Sequence, residues 1–315
     1  MEKISFANQT AIVTGAGRGM GRTYAIELAR RGASVVVNDI GGVGKPEGAW
    51  ADLVVQEIRA AGGRAVASHH SVATIEGAQG ITDVALREFG TLDIVINNAG
   101  FLRRGMFVDV PLQYVGEIIG VHLLGAFYVT QPAWKVMAEK KYGRVVLTSS
   151  AASFGMQANS NYVAAKAALI GLTSALALEG KACGIRVNSI LPYARTSITV
   201  DSPPVGPDAQ RVGALQAKLR PRMTMECVAA AVLYLASKDC EISGQSISAL
   251  AGRFARTFLA LNDGWLSGDA DNIKVEDFRD HLGEILDSAK TFEPKSIDGE
   301  LQAVIDRICV MGIGV

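Results

Sequence analysis

Tyr162 and Lys166 stand four residues apart in a long, Ala-rich, proline-free segment, residues 162–182. On a helix this spacing puts both side chains on one face, about one turn apart. A free tyrosine ionises near ~10, so service as a base near neutrality requires a shift of roughly 3 units, or about 4 kcal/mol. A lysine ammonium one turn away and the positive end of the helix dipole both push in that direction. Upstream, residues 143–148 form a short β-branched run opened by Gly143, which reads as a buried strand ending in the hydroxyls of Thr148, Ser149 and Ser150. A serine at that strand end is placed to hydrogen-bond a substrate oxygen that gains or loses a proton. The same spacing recurs at Tyr234 and Lys238, but that pair closes a helix expected over 227–237 and has no hydroxyl-tipped strand before it. We read the second pair as surface.

The elements that must hold such a site begin at the N-terminus. Residues 9–14 read as a strand, followed by the loop Gly15-Ala16-Gly17-Arg18-Gly19-Met20-Gly21, a helix over 22–30, and a second strand ending at Asn38 and Asp39. Strand, glycine-rich turn, helix, strand and acid together make a dinucleotide-binding unit. Gly15, Arg18, Gly19, Met20 and Gly21 are its candidate pyrophosphate contacts, because the glycines let backbone approach an anion at a helix N-terminus. Asp39 is the candidate acceptor for the adenosine ribose hydroxyls. Its carboxylate would repel the extra phosphate of NADP, so NAD is the expected cofactor. Arg18 argues the other way, since it could reach that phosphate, and we read it as a solvated loop residue.

Alternation continues down the chain. Residues 41–48 read as a flexible insertion, then come a helix (49–61), a strand (64–68) and a helix (75–89). His69 and His70 are adjacent, point apart in an extended chain, and are not read as a metal site. A strand over 92–96 runs into Asn97-Asn98-Ala99-Gly100, at the sheet edge where ligands bind in such folds. Asn98, Ala99 and Gly100 are therefore candidate cofactor contacts. One helix is expected over 112–139, with Pro132 as a tolerated kink. His122 lies in its apolar part and reads, on residues alone, as a hydrogen-bonded core histidine. A strand over 185–192 ends at Pro192, and residues 193–222, rich in Pro, Gly and charge, are a candidate lid. A last helix (227–237) and strand (245–249) complete the alternation. The expected fold is α/β, a doubly wound parallel seven-stranded sheet with a helical C-terminal tail. We place the catalytic domain at 1–261 and the tail at 262–315, with amphipathic patterns over 275–289 and 297–308.

Composition narrows the function classes. The chain has 315 residues, 49% hydrophobic, and 31 basic against 31 acidic side chains, so nothing electrostatic points to nucleic acid or an anionic membrane. Four cysteines without close pairing fit free thiols in a reducing compartment. No signal peptide is evident, and no uninterrupted apolar run reaches membrane-spanning length, so a soluble cytoplasmic protein is expected.

Thr14-Gly15-x-x-x-Gly19-x-Gly21, Asn97-Asn98-Ala99-Gly100, the strand-end serine, Tyr162-x-x-x-Lys166 and the strand ending at Pro192 occur in one order. Together they resemble the short-chain dehydrogenase/reductase family over about residues 5–255. The resemblance implies that Tyr162 is the acid/base, Lys166 lowers its pKa and holds the nicotinamide ribose, and a serine orients the substrate oxygen. Matching the strand end selects Ser150, whereas counting back from Tyr162 selects Ser149; we take Ser150. Ser71-Val72 stands where the family usually has an Asp-Val pair beside the adenine, and Tyr193 follows Pro192 where a glycine is usual. His122 replaces the helical asparagine of the family's catalytic set, and an imidazole could hold the water that asparagine positions. Residues 36–42, Val121-His122-Leu123, Ala133-Trp134 and Lys141-Tyr142-Gly143-Arg144 further resemble a branch, the 3-hydroxyacyl-CoA dehydrogenase portion of peroxisomal multifunctional β-oxidation enzymes. That branch implies a hydroxyacyl-CoA substrate. A homo-oligomer is expected, because the helix over 162–182 is apolar on nearly all faces and should keep one over after packing on the sheet; the family resemblance implies a tetramer. Arg103, Arg104, Arg195, Arg211, Lys218, Arg220 and Arg222 are the candidate anchors for the phosphates of such a substrate.

Overall fold

Val, Ile and Ala runs too short for helices and flanked by turn residues become strands, and the seven that were expected all form. They are β1 (Thr10–Thr14), β2 (Ser34–Asn38), β3 (Arg64–Ser68), β4 (Ile94–Asn97), β5 (Gly143–Thr148), β6 (Ile185–Tyr193) and β7 (Ser246–Leu250). In the computed structural model, which describes residues 3–41, 49–196 and 205–312, they pair in parallel in the order 3-2-1-4-5-6-7. The order reverses between β1 and β4, and the carboxyl ends of those two strands open the crevice where such sheets bind ligands.

An eighth strand, β8 (Arg253–Thr257), extends the sheet beyond β7 and corrects the expected count of seven. Ala251 and Gly252, both at positive φ, make the tight turn that leads into it. Its sequence, Arg-Phe-Ala-Arg-Thr, is partly charged and exposed, which suits an edge and hides it from a search for buried runs.

The pleat of the sheet divides the core in two. Ala11, Val13, Val35, Val37, Ile94 and Ile96 face the layer made by α1 (Gly19–Arg30), α2 (Ala49–Ala60) and α8 (Met225–Ala236). Their neighbours Ile12, Val36, Val95, Val145 and Leu147 face the layer made by α3 (Ile75–Phe89), α5 (Gly125–Glu139) and α6 (Ser160–Gly180). Each fully buried Val, Ile or Leu contributes roughly 1.5–3 kcal/mol, and the period of two commits every strand residue to one layer or the other.

The helix expected over 112–139 is interrupted well before Pro132. It runs as α4 (Leu112–Ile119), a π-helical turn (Gly120–Leu124) and then α5. The π turn carries His122, while Pro132 sits inside α5 without ending it. The stretch Leu112–Glu139 and the stretch Ser160–Cys183 are long and apolar enough, by length and composition, to cross a membrane, although polar residues such as Glu117, His122, Lys166 and Glu179 interrupt both. In the fold both contribute buried residues to the core beneath the sheet.

Of the expected lid, residues 197–204 lie outside the described residues, as do 42–48 of the expected insertion. The described part of the lid contains the last residue of β6, Tyr193, then α7 (Ala209–Leu219) and a 3-10 turn, Arg220–Arg222. By its contacts the chain divides into two compact units, Met1–Arg256 and Thr257–Val315. The second unit has no buried residue among those described. It contains a two-stranded antiparallel pairing of Leu261–Asn262 with Thr291–Phe292, a stack of Trp265 on His281 at 4.2 Å, and the helix Ile297–Val310. The pattern read over 275–289 resolves into two short helices, Val275–Asp280 and Leu282–Ile285.

Candidate active site

A cavity of about 1020 Å³ opens at the carboxyl edge of the sheet. Its walls include Gly15, Arg18, Gly19, Met20, Asp39, Ser71, Val72, Asn98, Ala99, Gly100, His122, Ser150, Tyr162, Lys166 and Pro192. Gly21 is the exception among the candidates. A Cβ there would lie 2.3 Å from the Gly15 carbonyl oxygen and 2.5 Å from Asn98 Nδ2, so Gly21 serves the close approach of α1 to the strand ends.

The glycine loop fits a pyrophosphate. Gly19 has φ +56° and nothing within 4 Å of where a Cβ would be, so its backbone faces open space at the first residue of α1. Gly15, at φ +60°, is pressed against Ala99, whose Cα would be 2.7 Å from an added Cβ. Asn98 fastens this arrangement by donating through Nδ2 to the Thr14 and Gly15 carbonyls at 3.0 and 3.1 Å. The backbone N–H groups of Asn98 and Ala99 both donate to Thr14 Oγ1. Asp39 accepts from the Gly17 N–H at 2.9 Å and the Gly41 N–H at 2.8 Å, which fixes its carboxylate at the end of β2.

The chemistry-bearing side chains converge from three elements. Ser149 turns away from the reacting groups, with Oγ donating to the Lys166 carbonyl at 2.7 Å. Ser150 Oγ accepts from the Ala152 N–H at 3.1 Å and hydrogen-bonds the Tyr162 side chain. Of the two serines it is Ser150 that meets the tyrosine. Lys166 Nζ lies 5.7 Å from the Tyr162 ring centroid and donates to the Thr148 carbonyl. Tyr234, by contrast, is 40% exposed and does not line the cavity.

Electrostatics in this cleft run against one expectation. Burial pushes the Tyr162 phenol up, and the Ser150 hydrogen bond only partly opposes it. Burial also brings Lys166 down to about 7. The lysine thus does not drive the tyrosine downward here, because both groups are desolvated together.

His122 is buried on the π turn, its ring edge against the Tyr162 ring at 5.2 Å between centroids. Its Nε2 is 2.8 Å from the Phe101 carbonyl oxygen and 3.1 Å from the Phe101 N–H. Burial and the neighbouring Lys166 hold it well below the usual histidine range, so it is a neutral imidazole. Nδ1 is buried without a hydrogen-bond partner. Beside it a small void of about 10 Å³ is bounded by Asn97, His122 and Lys166 among others, room for about one water. Gly100 makes way for the imidazole, since a Cβ there would meet Cε1 at 2.2 Å.

The far end of the cavity was not foreseen. Phe154, Met156 and Gln157 line it from the segment between β5 and α6, and Gln216 reaches in from α7 to donate to Tyr193 Oη. These residues carry no motif; only the position of Tyr193 after Pro192 hinted at an altered wall. Of the proposed cationic anchors, Arg104 and Arg211 line the cavity. Arg103 does not; it pairs with Glu117 at 3.0 Å and covers the Phe101 and Tyr114 rings. Arg195, Lys218, Arg220 and Arg222 are likewise off the cavity wall.

A sheet order of this kind, with a glycine cradle, an acid at the end of β2 and a Ser-Tyr-Lys cluster on one crevice, defines an oxidoreductase built to use a nicotinamide dinucleotide. Sequence comparison agrees: the short chain dehydrogenase family model matches residues 9–202. The chain belongs to that family. A short-chain type dehydrogenase/reductase of Mycobacterium tuberculosis is 42% identical over 261 residues, covering 82% of this chain and 87% of that protein. Peroxisomal multifunctional enzyme type 2 of Drosophila melanogaster is 36% identical, and the match covers 97% of this chain but 50% of that enzyme. The solved structure of that full-length enzyme superposes with a TM-score of 0.75 at 32% identity, covering 97% of this chain and 51% of the other. This chain therefore spans about half the length of the Drosophila enzyme.

Proposed function

We propose that this chain oxidises the secondary alcohol of a 3-hydroxyacyl-CoA, with a fatty or steroid side chain, to the 3-ketoacyl-CoA, using NAD. The observation that carries the reading is the meeting of Ser150, Tyr162 and Lys166 on the cavity that also holds the glycine cradle. With its pyrophosphate in that cradle, a nicotinamide dinucleotide would supply the hydride acceptor. Ser150 holds the substrate oxygen, and Tyr162 takes the hydroxyl proton. Lys166 and the void beside His122 Nδ1 give that proton a route onward through a single bridging water. His122 thus stands in for an asparagine, with Nε2 held by Phe101 and Nδ1 left as an acceptor.

The hydroxyacyl-CoA assignment draws support from the likeness to multifunctional enzymes along nearly the whole chain. Arg104 and Arg211 on the cavity wall suit an anionic handle. Remote binding of this sort helps to position the reacting carbon. The Asp39 carboxylate supports NAD over NADP.

The test is a panel of 3-hydroxyacyl-CoA esters, a truncated thioester without the nucleotide, free steroids and simple alcohols, each with NAD and NADP and followed by NADH or NADPH absorbance. The CoA ester with NAD should give the highest kcat/KM. Equal kcat/KM for the CoA ester and its truncated analogue would show that the handle is not read, and the free-steroid or small-alcohol activity would take its place. Binding of dinucleotide without turnover of any member would leave a nucleotide-binding sensor.

A further inference from the structure

We infer that Trp50 sets the choice of dinucleotide by holding Arg18 away from the adenosine ribose, an inference that rests on the proposed use of NAD. Trp50 stands in the first turn of α2, yet its side chain reaches the glycine loop. A Cβ on Gly17 would lie 2.6 Å from Trp50 Cβ and 2.9 Å from Asp39 Oδ2, so indole and carboxylate flank the same backbone. The Arg18 guanidinium lies over the indole, 4.3 Å from the ring centroid. All three side chains line one end of the cavity.

Their charges put them in competition. Asp39 is fixed by two backbone N–H groups on the cavity wall, where the proposed binding mode would put the ribose. A 2′-phosphate there would meet a like charge, a repulsion relieved only if a cation moved in beside it. Arg18 is the cation of the glycine loop, its side chain is exposed, and it lines the same cavity as Asp39. The flat indole offers the planar guanidinium a stacking site instead. An aliphatic side chain at position 50 would offer none, and Arg18 would then be free to meet the phosphate. Trp50 is thus a positioning residue that acts through Arg18.

The experiment measures Kd for NADH and NADPH by cofactor fluorescence in the full-length protein. Trp50→Leu should narrow the NADPH-to-NADH Kd ratio by about fivefold, the equivalent of an exposed cation–π contact. Trp50→Phe keeps a ring and should stay near the wild-type ratio, which also controls for damage to the fold. The narrowing should vanish when Arg18→Ala is compared with Trp50→Leu/Arg18→Ala. A ratio unmoved in Trp50→Leu, or a narrowing that survives removal of Arg18, overturns the inference and leaves the NAD reading standing. A wild-type preference for NADPH overturns the NAD reading and the inference with it.

Discussion

Two buried residues with opposed titration shifts set the chemistry at the smallest scale. With Lys166 at about 7 instead of its ordinary 10.5, the unfolded chain binds a proton between those values that the folded chain does not. Stability should therefore rise with pH across that window, and the burial penalty is fully present only below pH about 7. Lys166→Met should abolish turnover yet stabilise the fold at pH 6 by an amount on the order of a few kcal/mol, and flatten the rise with pH. Urea unfolding at pH 6 and pH 9 would check both. Tyr162, pushed up by burial, is mostly protonated near neutrality, so kcat/KM for alcohol oxidation should climb steadily from pH 6 to pH 9. Tyr162→Phe should lower kcat by roughly 10²–10⁴-fold while dinucleotide binding survives. Tyr234→Phe should change little.

At the scale of elements, the π turn at Gly120–Leu124 is what brings His122 over Gly100. Gly100→Ala would force a methyl into the imidazole, and overpacking of this kind costs typically about 1–3 kcal/mol. A lowered urea midpoint with loss of activity is the expected outcome, and a silent Gly100→Ala would mean that the ring moves freely. The π turn was not legible in the sequence, because Ile118 to Val129 is apolar in either helical period and nothing marks the extra residue. The strands were legible, since Val35-Val36-Val37 or Ile94-Val95-Ile96 leave few alternatives to a buried parallel strand. So were Tyr162 and Lys166, whose spacing needs only one helix. Ser149 and Ser150 could not be separated by counting, because a one-residue difference in the loop before α6 exchanges them; their hydrogen bonds separate them at once. Trp50 and Gln216 were unreadable for a different reason. They join the site only through tertiary packing from elements far from any motif.

For the whole molecule, we propose a homo-oligomer. Leu178 on α6 and Phe127 on α5 are 57% and 46% exposed, apolar surface left over on the two long helices. Light scattering at micromolar concentration should show more than one copy per particle, and a monomer would refute the proposal. The central sheet has a further consequence, in how defects should sort. Its pleat works as a partition. Tyr162, Lys166 and His122 belong to elements that pack on the α3, α5 and α6 side, whereas Gly19, Met20 and Trp50 belong to α1 and α2 on the other. Substitutions that loosen the first side should appear chiefly as losses of kcat, and those that loosen the second chiefly as losses of dinucleotide affinity. A second-site suppressor should accordingly be found on the same side of the sheet as the lesion it repairs.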